Sequence, residues 1–245
     1  MKSTPLIFGI HPVLEALEAG KQIDRIYFQK DARSEGLSQI RQKALKSGIH
    51  FQFVPLEKLN RMKQGNHQGV IALISEIDYA EIAQVVPTVF EAGRDPFLLI
   101  LDKVTDVRNF GAICRSALCA GVDAVIIPVM GSAQINSDAI KASAGALTKI
   151  AVCRSENLKD TIHELKASGI RIVACTEKSA ESCFSTPLTG PLAVIMGSEE
   201  TGISGEYLKL SDLKVKIPMN GPLDSLNVSV AAGILMFEVL RQRGM

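Results

Sequence analysis

Short apolar runs alternate with helical patterns after residue 96, and this alternation constrains the fold more than any other feature of the sequence. Runs of four to six apolar residues are typical of buried strands, and apolar residues at helical spacing lie between several of them. Strands are predicted at 97–101, 124–127, 150–152, 171–174, 192–196 and 215–217, and helices at 111–120, 137–144, 158–168 and 228–242. The pattern predicts an α/β domain with a parallel sheet that helices cover on both faces. Ligands of such sheets bind outside the carboxyl ends of the strands.

Composition excludes several other classes of protein. The chain has 245 residues, of which 47% are hydrophobic, so a large core is expected. Its five cysteines are odd in number and form no CxxC pair, which argues against a disulfide framework or a structural zinc and favours the reducing cytoplasm. The four histidines are scattered, so no metal site is expected. No apolar run approaches the roughly 20 residues that a membrane span requires, and we expect a soluble cytoplasmic protein without membrane contact.

The N-terminal third differs from the rest in charge. Residues 21–63 carry ten Lys or Arg against four acidic residues, although the whole chain has a net charge of only +1. Helices are predicted at 12–19 and 35–47 and strands at 25–28, 50–54 and 69–74, which describes a small α/β domain. We therefore predict an RNA-binding domain at 1–77, a linker at 78–96 around Pro87 and Pro96, and a catalytic domain at 97–245. The excess of positive charge also fits an ordinary solvated surface.

The first cluster that could carry chemistry follows the strand at 97–101. Asn109 is suited to cap a helix that begins near Gly111, where a glycine allows close approach of another backbone. Arg115 would then lie in the second turn, and it would converge with Asn109 only if Asn109 lies in the loop. A capped helix with a surface arginine explains the same residues.

The second cluster, Met196-Gly-Ser-Glu-Glu-Thr-Gly202, follows the strand at 192–196. Its glycines allow a tight turn, and free N–H groups at the next helix start suit an oxygen-rich ligand. Glu199 is placed to pair with Arg115 or with a ligand hydroxyl. The spacing matches neither a P-loop nor GxGxxG. It therefore counts against binding of nucleoside triphosphates and against a dinucleotide-dependent oxidoreductase. A structural turn is the alternative.

The third cluster runs from Ile217 to Asn227 and includes Met219, Ser225 and Leu226. Ser225 or Asn227 is suited to cap the next helix, which is predicted at 228–242. That helix is apolar on more than one face, so it belongs in a core or in a subunit interface. Other chemistry has less support: no serine lies in a GxSxG setting, and Cys114 beside Arg115 is either an activated thiol or a small buried hydrophobe.

In this order and spacing, the three clusters resemble the signature motifs of the SPOUT-class, TrmH-like RNA 2′-O-methyltransferases. The first motif is matched by Asn109, Gly111 and Arg115. The second is matched by Gly197, Glu199 and Gly202, and the third by Ser225, Leu226 and Asn227. Residues 7–17 and 67–72 resemble the N-terminal domain of the bacterial 23S rRNA guanosine 2′-O-methyltransferase branch. One departure is Glu200, where many relatives have glycine. An extra carboxylate there would alter RNA approach, and glutamate tolerates a positive φ less well than glycine.

The resemblance implies a fold, a cofactor and a partner. It implies a trefoil knot in the C-terminal domain, a homodimer formed through that domain, and S-adenosylmethionine as the cofactor. Gly197, Ile217 and Leu226 would contact the cofactor largely through the backbone, and the residues beside them would complete its site: Met196, Met219, Ser225 and Asn227. Arg115 would be the catalytic residue, with Asn109, Glu199, Ser225 and Asn227 arranging the site.

The function expected from this resemblance is methylation of a ribose 2′-hydroxyl, on a guanosine of 23S ribosomal RNA. A guanidinium stays protonated in proteins, so Arg115 is expected to stabilise the developing alkoxide and orient a phosphate. The alternatives are the same chemistry on transfer RNA, and a non-catalytic RNA-binding or assembly factor with the same fold.

Overall fold

The computed structural model describes residues 6–223 and 225–244, so parts of the predicted domains (residues 1–5, Asp224 and Met245) lie outside the described residues. The chain forms two compact units, the first ending at Asp78 and the second beginning at Tyr79. In the described chain, no helix is long and apolar enough to cross a membrane.

The N-terminal unit is a four-stranded sheet with helices on both faces. Its elements are β1 (Leu6–Phe8), α1 (Ile10–Glu18), β2 (Ile23–Gln29), α2 (Glu35–Lys46), β3 (Phe51–Val54), α3 (Leu56–Met62) and β4 (Val70–Ile74). The strand order is β1-β4-β2-β3, with β2 and β3 parallel and β4 antiparallel to its two neighbours. Residues of α1 and α2 pack against one face around Val13, Ile26 and Ile40. Leu59 of α3 packs against Tyr27 and Ile71 on the other face.

The C-terminal unit is the predicted parallel α/β domain. Its elements are α4 (Ile82–Glu91), β5 (Phe97–Asp102), α5 (Val107–Cys119), β6 (Ala124–Pro128), α6 (Ser137–Ala142), β7 (Ala151–Ser155), α7 (Leu158–Ala167), β8 (Arg171–Cys175), β9 (Leu192–Gly197), α8 (Gly205–Leu210), β10 (Leu213–Val215) and α9 (Val228–Gln242). The strand order is β10-β8-β9-β5-β6-β7, and every pair is parallel. The predicted fold class of two α/β parts is confirmed.

The central strands explain why the apolar runs are continuous. All six residues of β5 are buried, because β5 has a strand on each side and helices on each face. Residues of α4, α7 and α8 pack on one face of the sheet. On the other face α9 contacts β9 and also packs against α5, which in turn packs against α6.

Elements β1, α3 and α8 were not predicted, and among the segments whose bounds differ from the prediction, three have a clear physical reason. The segment predicted as a linker, 78–96, contains α4, whose Val86 is part of the C-terminal core, because the helix is amphipathic and covers the sheet. Helix α5 begins at Val107 and not at Gly111, because Asp106 caps it by accepting the backbone N–H of Asn109 at 2.7 Å. Strand β10 ends at Val215, and the backbone N–H of Lys216 donates to the carbonyl of Glu181 at 2.8 Å, so 216–217 lies beyond the strand.

Candidate cofactor cavity and catalytic residues

A cavity of about 310 Å³ lies at the carboxyl ends of β8 and β9, beside the segment that leads into α9. Six of the seven residues assigned to the cofactor from the sequence line it: Met196, Gly197, Ile217, Met219, Ser225 and Leu226. The seventh, Asn227, is the residue that precedes α9 and is not among the lining residues. Parallel strands end at one edge of the sheet, and this common edge is what brings the second and third clusters together.

Besides Val228 and Ala231 of α9, four lining residues lie outside the three clusters and were missed by the sequence analysis. They form one segment at the end of β8: Cys175, Thr176, Glu177 and Lys178. The segment carries no glycine and no helix cap, so nothing marked it as a ligand loop. One signal was available: it directly follows a predicted strand, and ligand loops of parallel sheets occupy that position.

The turn after β9 is built on two glycines. A Cβ on Gly197 would lie 2.1 Å from the carbonyl carbon of Gly202, so only glycine fits where the chain folds back on itself. Gly202 has a φ of +65° and donates its N–H to the carbonyl of Ser198 at 2.9 Å. The buried carboxylate of Asp102, at the end of β5, accepts the N–H of Ser204 at 2.6 Å. These contacts hold the second cluster against the sheet edge.

Beside the cavity, the three clusters meet in one hydrogen-bond network. Oε1 of Glu199 accepts from Nδ2 of Asn109 at 3.3 Å, from the backbone N–H of Val228 at 3.1 Å and from Nδ2 of Asn227. Nδ2 of Asn227 also donates to Oδ1 of Asn109 at 3.0 Å, although 118 residues separate the two. Three of the predicted site residues, one from each cluster, therefore form the network.

The structure corrects the proposed helix caps. Asn109 lies in the first turn of α5 and caps nothing, because Asp106 holds the capping position and leaves the Asn109 side chain for Glu199. Asn227 is the cap of α9, since its Oδ1 accepts the N–H groups of Ser229 at 3.0 Å and Val230 at 3.4 Å. Ser225, the other candidate for this cap, lines the cavity.

Arg115 lies apart from the other predicted site residues. It is exposed on α5, does not line the cavity, and makes no hydrogen bond or ion pair within the described ranges 6–223 and 225–244. Of the two partners considered for Glu199, Arg115 or a ligand hydroxyl, Arg115 does not contact it, because Glu199 accepts N–H donors instead. The physical reason is helix phase: six residues after Asn109, Arg115 points about 120° away and lies about 9 Å further along the axis.

Close packing and burial account for two other residues of the first cluster. A Cβ on Gly111 would lie 2.5 Å from the Cβ of Ala142, so this glycine allows the predicted close approach, here by α6. Cys114 is fully buried, and burial raises the pKa of its thiol far above the usual range, which makes it a small hydrophobe and not a nucleophile. Burial, followed by the charges of Cys183 and Glu177, raises the pKa of Cys175 to about 12, so this cavity thiol is neutral at pH 7.

Two further observations concern charge and metal ligands. Glu200 lines the cavity and is not among the residues with positive φ, so its backbone is unstrained and glycine is not required there. Within the part of the chain that the structure describes, no group of three or more His, Cys, Asp or Glu side chains is arranged to hold a metal ion.

Comparison with known proteins identifies the family. The family model described as "SpoU rRNA Methylase family" matches residues 96–237, and the one described as "RNA 2'-O ribose methyltransferase substrate binding" matches residues 6–80. The chain is similar to the putative TrmH family tRNA/rRNA methyltransferase YacO of Bacillus subtilis, with 35% identity over 97% of this chain and 95% of that protein.

Two solved structures are similar over nearly the whole chain. An RNA 2′-O ribose methyltransferase is 25% identical with a TM-score of 0.58, over 98% of this chain and 89% of the other. An rRNA methyltransferase from Sinorhizobium meliloti with bound AdoMet shares the fold, with 24% identity and a TM-score of 0.61 over 96% of this chain and 86% of the other. The chain belongs to the SpoU rRNA methylase family, and it is an S-adenosylmethionine-dependent RNA methyltransferase.

Proposed function

We propose that this protein transfers a methyl group to the ribose 2′-hydroxyl of a guanosine in 23S ribosomal RNA. The observation that carries the proposal of methyl transfer is the network of Asn109, Glu199 and Asn227, which joins the three motifs at the rim of the cavity. The choice of a guanosine in 23S ribosomal RNA rests on the resemblance of residues 7–17 and 67–72 to the N-terminal domain of that branch. The match of residues 6–80 to a 2′-O ribose methyltransferase substrate-binding domain supports the choice of hydroxyl. Because DNA lacks this hydroxyl, the acceptor also explains selectivity for RNA.

The chemistry of the cavity fits S-adenosylmethionine. Its volume of about 310 Å³ is at the lower end of the range for small-molecule sites. Met196, Ile217 and Leu226 provide apolar surface for an adenine ring, and Glu177 and Lys178 provide charges for an amino-acid group. We place the cofactor here, with Gly197, Ile217 and Leu226 as backbone contacts, Met196, Met219 and Ser225 as further contacts, and Asn227 holding the adjoining helix.

The bound cofactor would supply an activated methyl group on its sulfonium, a chemistry that needs no metal. The ribose hydroxyl would lose its proton to the surrounding water as its oxygen takes the methyl group, so the products are the 2′-O-methyl ribose, S-adenosylhomocysteine and a proton. The residues of the chain align the acceptor and balance its charge. Glu199, fixed by three N–H donors, and Asn109 arrange the edge of the site at which the ribose enters. Ser225 lines the cavity beside them.

We propose Arg115 as the catalytic residue, as the family resemblance implies; it does not line the cavity, but its exposure on α5 makes it accessible to RNA. Its guanidinium stays protonated, so the role that suits it is to stabilise the developing alkoxide and to orient a phosphate through its bidentate fork. Lysine at this position keeps the charge but loses the fork.

The proposal includes the assembly and the RNA-binding part of the chain. The family resemblance supports a homodimer through the C-terminal domain and a trefoil knot there. The excess of ten basic over four acidic residues in 21–63 supports RNA binding by the N-terminal unit. The free thiols of all five cysteines are compatible with a cytoplasmic location.

The test uses the purified chain with labelled S-adenosylmethionine and unmodified ribosomal RNA and transfer RNA in parallel, followed by digestion to nucleosides. We expect labelled 2′-O-methylguanosine from ribosomal RNA alone, and a rate for Arg115→Lys reduced at least tenfold. Label in transfer RNA alone would favour the second candidate, which the tRNA/rRNA name of the Bacillus subtilis relative supports. Cofactor binding without any label would favour a non-catalytic RNA-binding or assembly factor, and a wild-type rate for Arg115→Lys would contradict the role of that residue.

A further inference from the structure

The charged side chains that line the cavity are mainly acidic. Glu177, Glu199 and Glu200 contribute three carboxylates, and Lys178 contributes the one ammonium group among the lining residues. These four residues leave a formal excess of two negative charges, whereas the chain as a whole has a net charge of +1. The negative charge is therefore a local property of this cavity.

The three carboxylates differ in their partners. Glu199 is held by the amides of Asn109 and Asn227 and by the backbone of Val228. Glu177 accepts a long hydrogen bond, 3.4 Å, from the hydroxyl of Thr176. The Glu200 side chain is exposed and has no hydrogen bond or ion pair with any residue in 6–223 or 225–244. Its charge is therefore not balanced by a partner in the described part of the chain, and the residue lines the cavity.

The cofactor and the product of methyl transfer differ in charge more than in shape. S-adenosylmethionine carries a sulfonium, an ammonium and a carboxylate, which give a net charge of +1. S-adenosylhomocysteine has a neutral thioether in place of the sulfonium, and its net charge is zero. Apart from the methyl group on the sulfur, all other groups are common to the two molecules. A binding site can therefore distinguish them by charge more readily than by shape.

We propose that Glu200 is a specificity-determining residue that makes the cavity prefer the sulfonium cofactor over the neutral thioether product. The inference rests on the proposed placement of the cofactor in this cavity. Glu200 favours the bound sulfonium by Coulomb attraction and leaves the affinity for the thioether unchanged, so the cofactor competes more effectively with the product for the cavity. An exposed carboxylate within about 8 Å of a unit charge changes affinity by about threefold at physiological salt.

Lys178 provides the contrasting case in the same cavity. Its ammonium attracts the amino-acid carboxylate that both molecules carry. Removing this charge weakens the two ligands to a similar extent, so the ratio of their affinities changes little. A change in the ratio of the two affinities therefore indicates an interaction with the sulfonium alone.

The experiment is isothermal titration calorimetry of the full chain with S-adenosylmethionine and S-adenosylhomocysteine in separate titrations. We expect Glu200→Gln to raise the Kd of the cofactor about threefold and to leave the Kd of the product unchanged. Glu200→Gly gives the same shift without a new side chain. Glu164→Gln is the matched control, because it removes the same charge from an exposed position on α7 and leaves both constants unchanged.

Ionic strength provides a second measurement on the unmodified chain. Because salt screens an exposed charge, the ratio of cofactor affinity to product affinity is expected to fall in the wild type between 50 and 500 mM salt. In Glu200→Gln the same ratio is expected to fall less. An unchanged affinity ratio in both Glu200 variants overturns the inference and leaves the proposed function intact. If the wild type binds neither molecule at millimolar concentration, the placement of the cofactor and the inference both fail.

Discussion

At the scale of single residues, the cavity depends on the missing side chain of Gly197. The atoms that an added Cβ would meet, 2.1–2.4 Å away, all belong to the backbone of Gly202 and Ile203. Backbone atoms cannot rotate aside as the end of a flexible side chain can. The turn that carries Glu199 and Glu200 therefore has to open before any side chain fits at this position.

Gly197→Ala is expected to lower the free energy of unfolding by about 3 kcal/mol, the upper end of the usual cost of overpacking, and to abolish cofactor binding. Urea denaturation followed by circular dichroism measures the first effect, and calorimetric titration measures the second. Gly205→Ala is the control, because a Cβ on Gly205 in α8 meets nothing within 4 Å. Equal stability of the two variants would show that the turn adjusts without cost.

At the scale of secondary-structure elements, Asn227 links the start of α9 to the hydrogen-bond network of Asn109 and Glu199. Its Oδ1 caps the helix through the N–H groups of Ser229 and Val230, and its Nδ2 donates to Asn109 and Glu199. Asn157 caps α7 in a similar way, by accepting the N–H of Lys159 at 3.0 Å, but it is not part of the network. The two helix starts are therefore a matched pair for separating stability from function.

Alanine at either position is expected to lower the free energy of unfolding by about 1 kcal/mol, the usual value of an asparagine cap. Methyl transfer is expected to fall at least tenfold in Asn227→Ala, because Glu199 and Asn109 lose a shared donor, and to stay near the wild-type rate in Asn157→Ala. Urea denaturation and single-turnover methylation measure the two effects. A wild-type rate of methyl transfer in Asn227→Ala would show that Asn227 acts only as a helix cap.

At the scale of the whole molecule, α5 and α9 present apolar side chains to solvent in the C-terminal unit. Val230 and Phe237 of α9 are about half exposed, and Leu118 of α5 is 36% exposed. Val230 and Phe237 are seven residues apart and share one face of the helix. Burial of such a face by a second copy of the chain would stabilise a dimer.

Phe237→Asp is expected to convert a dimer into a monomer, because dimerisation would bury an unpaired carboxylate. Light scattering coupled to size-exclusion chromatography measures the mass directly. Phe184→Asp is the control, since Phe184 is equally exposed but lies after β8, outside α5 and α9. A monomeric wild type at micromolar concentration would contradict the proposed homodimer.

Much of the C-terminal fold could be predicted because its signal is local. The runs that became β5 and β9 are continuous because these strands are buried on both faces, and helix periodicity gave α7 and α9 to within one residue of their bounds. The weaker predictions involve competition between neighbours. Asp106 caps α5 in place of Asn109. The helix α4 was not predicted because it contains Pro87, but packing against the sheet stabilises it.

The sequence by itself determined the alternation of elements, the motif glycines and the residue types of the cavity, because each depends on interactions between near neighbours in the chain. Tertiary structure decided which of these residues meet. The strand order β10-β8-β9-β5 brings the missed segment 175–178 to the cavity, and the network joins Asn109 to Glu199 across 90 residues. Helix phase keeps Arg115 away from the cavity and from the network. No local pattern encodes such contacts, because they form only when the sheet edge and the start of α9 are assembled.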